Sequence, residues 1–281
     1  MKILVTGVTG FVGQHVINEL LKYDHQIIAA VRNKNSTNLP GTIKIIELDL
    51  DNLESDKNYF SETGNPGLLI HLAWQGLPNY KASFHVEKNL PAHAAFLKNM
   101  VENGLQNLVV TGTCFEYGMK DGCLSEDMES DPQNSYAIAK DKLRKFLEEL
   151  QQQTPLALKW IRLFYVYGKG QNPNSLLSQL ESALQKGDAV FNMSGGEQLR
   201  DYLPIETVAK YLVKIALQNK TNGIINCCSG VPIKVKSFVE NYLEKNKKKI
   251  NLNLGYYPYS DYEAIAFWGD DKKLKKILSS T

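Results

Sequence analysis

Lys2-Ile3-Leu4-Val5-Thr6-Gly7-Val8-Thr9-Gly10-Phe11-Val12-Gly13 opens with a short apolar run and ends on glycines spaced three apart. The run Lys2–Thr6 is long enough for one buried strand. Behind it, residues 12–23 have helical spacing, with Val12, Val16, Leu20 and Leu21 on one face. A strand, G-x-x-G-x-x-G and a helix in that order suit a dinucleotide. The glycines let backbone approach a pyrophosphate, and the helix N-terminus offers free N–H groups and the positive end of its dipole. Gly7, Thr9, Gly10, Phe11, Val12 and Gly13 are therefore expected to hold a dinucleotide cofactor. A tight strand–helix turn without ligand is the blander alternative.

Working outward, strands and helices alternate. Strands are predicted at 26–31, 43–48, 68–73, 108–111 and 158–164, and helices at 86–103 and 135–152. The run at 68–73 is apolar throughout, as in a strand buried on both faces. The alternation predicts an α/β fold with a doubly wound parallel (Rossmann) sheet. Beyond Gly168 the pattern loosens into a loop, a helix at 175–185, a turn at Ser194-Gly195-Gly196 and a helix at 207–217. Residues 1–165 are expected to form the dinucleotide-binding domain. Residues 166–281 are expected to form a smaller α/β substrate lobe, with the chain able to cross between the two.

Composition narrows the field. The 281 residues carry 32 Lys and Arg against 30 Asp and Glu, a net charge of +2, which suggests neither a nucleic-acid nor a membrane partner. The Lys run at 245–249 reads as a solvated helix end. Nothing at the N-terminus resembles a signal peptide, and no run of about 18 apolar residues is present. Cys114, Cys123, Cys227 and Cys228 show no metal-ligand spacing, so no metal is expected and reduced thiols in a cytoplasmic protein are.

The second strand ends Ala29-Ala30-Val31-Arg32-Asn33. An acid that would bind a ribose 2′-hydroxyl is missing there, and Arg32 stands beside its place. A guanidinium suits a 2′-phosphate, so NADP(H) is favoured, with NAD(H) the other candidate. A solvated loop residue is the alternative reading of Arg32. Asp49, followed by Leu50, ends the third strand and is placed for an adenine contact or for a helix cap.

Two further stretches carry chemistry. Ser135-Tyr136-Ala137-Ile138-Ala139-Lys140 contains Y-x-x-x-K, which on a helix puts Tyr136 and Lys140 on one face. An ammonium there is expected to lower the phenol pKa toward that of a working acid and base. TGTCFEYG, residues 111 to 118, crowds two hydroxyls, a thiol, a carboxylate and a phenol behind a buried strand.

With TGVTGFVG, His71-Leu72-Ala73, TGTCFEYG, SYAIAK, RLFYVYG and RDYLPIE in this order, the chain resembles the extended short-chain dehydrogenase/reductases. More closely, it is similar to their nucleotide-sugar epimerase/dehydratase/reductase superfamily. The match spans about residues 1 to 230. The resemblance implies a catalytic set of Thr113, Tyr136 and Lys140, with the cofactor also touched by Leu72, Ala73, Trp74, Asn89, Thr111 and Phe164. It implies a nucleoside-diphosphate sugar as the partner, held by Thr113, Cys114, Phe115, Tyr165, Asn174, Ser175, Phe191, Asn192 and Arg200. It also implies a homodimer built on the helices at 86–103 and 135–152.

The departures carry information too. Dehydratase relatives place an acid second after the active hydroxyl, whereas Phe115 stands there in this chain and cannot transfer a proton. Relatives that both epimerise and reduce carry a Cys at that second position, whereas here Cys114 holds the first. Glu116, one further on, is expected to point elsewhere. Tyr165 stands where the family often has Asn. The expected activity is NADPH-dependent reduction of the C4 keto group of a nucleoside-diphosphate 4-keto-6-deoxyhexose. Reduction of dTDP-4-dehydro-6-deoxyglucose to dTDP-fucose is one example, in deoxysugar and polysaccharide (O-antigen) biosynthesis. A C4 epimerase with tightly held NAD is the alternative.

Overall fold

The computed structural model describes residues 1–37 and 39–280. In chain order the first layer runs β1 (Lys2–Thr6), α1 (Phe11–Leu20), β2 (Gln26–Val31), β3 (Lys44–Glu47), α2 (Tyr59–Glu62), β4 (Leu68–His71), α3 (Leu90–Glu102) and β5 (Asn107–Thr113). Then come β6 (Gly122–Leu124), α4 (Ser135–Gln153), β7 (Ala157–Leu163), β8 (Tyr165–Tyr167), α5 (Leu176–Lys186), β9 (Val190–Asn192), β10 (Leu199–Arg200), β11 (Tyr202–Pro204) and α6 (Ile205–Leu217). The chain closes with β12 (Gly223–Cys227), β13 (Ile233–Lys234), α7 (Val235–Lys245), β14 (Asn251–Asn253), β15 (Phe267–Gly269) and α8 (Lys272–Ser279).

Seven strands form one parallel sheet in the order β3-β2-β1-β4-β5-β7-β12. Strand order reverses between β1 and β4, which pair with Thr6 opposite His71. A crevice therefore opens beyond their carboxyl ends, where ligands bind in open α/β sheets. Alternate side chains of each strand fill the two faces. Ile3, Val5, Ile70 and Val109 meet α1, α6 and α8, while Leu4, Leu69, Leu108 and Val110 meet α3 and α4. Nearly every strand position is apolar because helices cover both faces.

The smaller lobe has its own core, with Leu177, Leu180, Phe191, Val235, Val239 and Leu243 drawn from α5, β9 and α7 and Met193 from the residue after β9. Beyond residue 165 the chain crosses between the two parts. After β8 and α5 the chain returns, α6 packs on α1, and β12 joins the main sheet beside β7. Residues 205–227 and α8 therefore belong to the first layer. The single helix expected at 86–103 is corrected. A π-helical turn, His85–Asn89, leads into α3, which carries Pro91 in its first turn. Proline has no N–H to donate one turn back, and the wider turn absorbs the misfit.

Candidate active site

The site is assembled by three chain segments that end at the crevice. The first is the glycine loop. Gly7 has φ +72, and a Cβ on it would lie 2.6 Å from the Ala73 nitrogen, while a Cβ on Gly13 would lie 2.0 Å from the Gly7 oxygen. Only glycine permits these approaches. No side chain caps α1, so its leading N–H groups stay open. Beside it lies a cavity of about 340 Å³ lined by Thr6, Gly7, Thr9, Gly10, Arg32, Leu50, Leu72, Ala73, Trp74 and His93. A second cavity of about 680 Å³ continues from it, shares Gly7, Gly10, Leu72 and Trp74, and adds Phe11, Val12 and Gly13. The cradle that a Cβ would fill, the open helix end and the two joined cavities fit a dinucleotide.

The second segment is α4. Asn134 caps it by accepting from the Ala137 N–H at 2.9 Å, and the Tyr136 N–H donates to the Tyr80 oxygen at 2.9 Å. Tyr136 and Lys140 are both buried on its inner face and line the larger cavity. The Lys140 ammonium donates to the Thr111 carbonyl at 2.9 Å and sits 4.0 Å over the Trp74 ring. Burial lowers its pKa to about 7, against a smaller upward pull from Glu116. Burial likewise raises the Tyr136 phenol, while its hydrogen bond with Thr113 pulls the other way. The depressed Tyr136 pKa expected from the i,i+4 ammonium is thus corrected for the free protein. Lys140 is directed at a carbonyl and an indole, and desolvation of the phenolate outweighs the hydrogen bond from Thr113.

The third segment is the turn after β5. Thr113 ends the strand, its hydroxyl accepting from the Phe115 N–H at 3.3 Å and its own N–H donating to Glu116 Oε1 at 2.8 Å. This reciprocal cap turns Cys114 and Phe115 toward the cavity and Glu116 inward. Fully buried, Glu116 accepts from Trp160 Nε1 at 3.0 Å and from Arg162 Nε at 2.8 Å. Cys114 packs with Tyr117, Phe164 and Cys228, and burial raises its thiol pKa. Phe115 stands edge-on to Tyr80, Tyr165 and Tyr262.

The expected residues divide on inspection. Thr111, Thr113, Cys114, Phe115, Tyr136, Lys140, Phe164, Tyr165 and Ser175 meet in the larger cavity. Asn89 lies one layer back, donating to the Gln75 carbonyl at 3.0 Å. Asp49 caps its own turn by accepting from Asp51 and Asn52, and it faces a separate polar hollow. Arg32 lines the smaller cavity, donating to Gln75 Oε1 at 3.1 Å; Gln75 in turn donates to Asp51.

The expected substrate contacts of Arg200, Phe191, Asn192 and Asn174 are not found in the cavity wall. Arg200 is buried behind Tyr165, donating to its hydroxyl at 3.0 Å and to Glu263 at 2.9 Å. Its neighbour Asp201 does not pair with it and accepts instead from the Ser229 and Gly230 N–H groups. Phe191 belongs to the small lobe's core, and Asn192 accepts from Asn253. In their place Tyr167, Gln171, Asn172, Tyr202 and Phe238 line the far end, the last two rings stacked 3.9 Å apart. Nothing in their spacing announced this, because the cluster joins β8, β11 and α7. Among the described residues lining the larger cavity there is no Asp, Glu or His, and Lys140 is the sole cation.

Known proteins resemble the chain over nearly its whole length. A model of the NAD dependent epimerase/dehydratase family matches residues 3–228. A dTDP-6-deoxy-L-talose 4-dehydrogenase (NAD(+)) of Aggregatibacter actinomycetemcomitans is 31% identical over 96% of this chain and 99% of its own. A dTDP-4-dehydro-6-deoxyglucose reductase of Escherichia coli is 24% identical over 88% of this chain and 82% of its own. Among solved structures, MoeE5 in complex with UDP-glucuronic acid and NAD superposes with a TM-score of 0.83 at 25% identity, covering 99% of this chain and 93% of that one.

Proposed function

Because the chain belongs to the NAD dependent epimerase/dehydratase family, we propose that it reduces the C4 keto group of a nucleoside-diphosphate 4-keto-6-deoxyhexose. One observation carries this reading. Thr113, Tyr136 and Lys140 converge in a cavity whose described wall holds no carboxylate, with Cys114 and Phe115 in the positions facing it. A site of this composition can polarise a carbonyl and move one proton, and it lacks a side-chain acid to eliminate water at a neighbouring carbon. The relative that is 31% identical is named for the reverse reaction at C4 of a dTDP-6-deoxyhexose, which supports the same substrate class.

The dinucleotide would be held by Gly7, Thr9, Gly10, Phe11, Val12, Gly13, Leu50, Leu72, Ala73 and Trp74, and its nicotinamide supplies the hydride. Thr113 hydrogen-bonds O4 and draws charge onto it. Tyr136 gives its phenolic proton to O4 as C4 becomes tetrahedral, so ketone, hydride and proton become the alcohol. Lys140 restores that proton and steadies the phenolate while it lasts. Phe115, Tyr80 and Leu77 give the sugar an apolar wall suited to a C6 methyl group.

Arg32, exposed at the smaller cavity and held among the described residues by the neutral amide of Gln75, supports NADPH as the electron donor. The 31% relative carries NAD(+) in its name and supports NADH. A kcat/KM ratio above one for NADPH over NADH is expected. A ratio below one makes the enzyme NAD-linked and Arg32 a ribose-edge residue.

The test of the activity is oxidation of reduced cofactor with dTDP-4-dehydro-6-deoxyglucose, with the product's C4 configuration read by NMR. The second reading, a C4 epimerase with retained NAD, rests on the same three residues and on NAD in the solved relative. Interconversion of C4 epimers without added reductant establishes it and sinks the reductase.

A further inference from the structure

Behind the smaller cavity runs a buried hydrogen-bond chain that the reaction above does not use. The Ala73 N–H donates to Thr6 Oγ1 at 3.3 Å, Thr6 Oγ1 lies 2.9 Å from His71 Nδ1, and His71 Nε2 lies 2.7 Å from His93 Nδ1. All three side chains are at least nine-tenths buried. The proton positions follow from counting. Thr6 already accepts from Ala73, and among the described residues its own hydrogen has His71 Nδ1 as acceptor. His71 is then protonated on Nε2 and donates to His93 Nδ1, so His93 carries its proton on Nε2.

Desolvation, with Lys140 adding to it, depresses His93 to about 3, and His71 also lies well below its ordinary value. Burial thus disfavours the charged form of both rings, and with each neutral the hydrogen bonds give the chain one polarity. It dead-ends at a backbone amide and conducts no proton. The ring that terminates it lines the cavity beside Trp74, whose ring centroid is 4.7 Å away.

Resting on the reading of this cavity as a dinucleotide site, we propose that His93 is a further cofactor-binding residue. It presents an oriented neutral Nε2–H to a phosphate or hydroxyl oxygen in the adenosine half of the dinucleotide. His71 and Thr6 are positioning residues that set its tautomer. The location follows from the lining, since His93 shares its cavity with Arg32, Leu48 and Leu50 from the ends of β2 and β3 and not with Tyr136 or Lys140.

The experiment is calorimetric titration of the 281-residue chain with ADP-ribose and, separately, with dTDP, with Trp fluorescence as a second signal. Removing a hydrogen bond from a neutral donor predicts that His93→Leu weakens ADP-ribose binding about tenfold while dTDP affinity stays put. Thr6→Val keeps His93 but frees the tautomer, and a loss of about threefold is expected by the same reasoning. His93→Gln, which returns an N–H at similar reach, should recover part of the loss. Unchanged ADP-ribose affinity in folded His93→Leu overturns the proposal, and if that variant does not fold, unchanged affinity in Thr6→Val does so. Wild-type protein that binds no ADP-ribose overturns the dinucleotide site itself, a separate outcome.

Discussion

At the scale of single residues, burial decides more than spacing does. Tyr136 and Lys140 are legible in the sequence because i and i+4 share a helix face whatever surrounds them. Their proton affinities are not, since these depend on which carbonyl and which ring the helix is pressed against. The Lys140 value gives a test with a definite sign. In the folded chain it titrates near 7 against an ordinary 10.5. Below pH 7 both folded and unfolded chains are charged there, and the full cost of burying the ammonium is felt. Between 7 and 10.5 the unfolded chain keeps a proton that the folded chain has released, so stability rises with pH. The melting temperature of cofactor-free wild type should therefore rise above pH 7 relative to Lys140→Met, and parallel curves would show a charged lysine at neutrality. Tyr136→Phe is expected to lower turnover about 10²–10⁴-fold with ADP-ribose affinity unchanged. Turnover at the wild-type rate would remove Tyr136 from the chemistry.

At the scale of elements, the glycine loop and the turn after β5 were both visible as motifs, yet only the first could be read through to its geometry. The glycines have one explanation, close approach. Gly13→Ala places a methyl group against the Gly7 carbonyl, and overpacking of about 1–3 kcal/mol is expected. Dinucleotide binding, measured by calorimetry, should fall sharply in a protein that still melts cooperatively.

For Glu116 the sequence supported only the expectation that it points away from the site, with no way to see Arg162 and Trp160 waiting on β7. Likewise His93 occupies a core position of α3 beside Phe96, Leu97 and Met100. A polar residue on an apolar face is the only trace that its role leaves in the sequence. Glu116→Gln leaves the buried Arg162 guanidinium without its counter-charge. Loss of a partner from a buried pair predicts destabilisation of about 3–5 kcal/mol, read from urea unfolding. A loss under about 1 kcal/mol, ordinary for exposed pairs, would mean that water reaches the pair.

Across the whole molecule, the alternation of strands and helices foretold a doubly wound sheet because period alone distinguishes the two. It did not foretell that β12 would close the sheet's edge, since a five-residue strand carries no mark of which sheet it joins. With α6 against α1, the late chain supports the early chain. Leu212→Ala, in the core that α6 shares with α1, should cost about 2–5 kcal/mol and lower the one melting transition of the entire protein. Two separated transitions in a calorimetric scan would show that residues 205–217 belong to an independent unit.

The turn at Thr113 also divides two tasks among its side chains. Its backbone is pinned from beneath by Glu116 and Tyr117, while Cys114 and Phe115 stand on the cavity side and pack there against Phe164, Cys228 and three tyrosine rings. New side chains at these two positions would change the cavity wall while the capping hydrogen bonds that set the turn remain, at a repacking cost where Cys114 is buried. The backbone of this turn and the lining of the cavity are thus set by different side chains of the same eight residues.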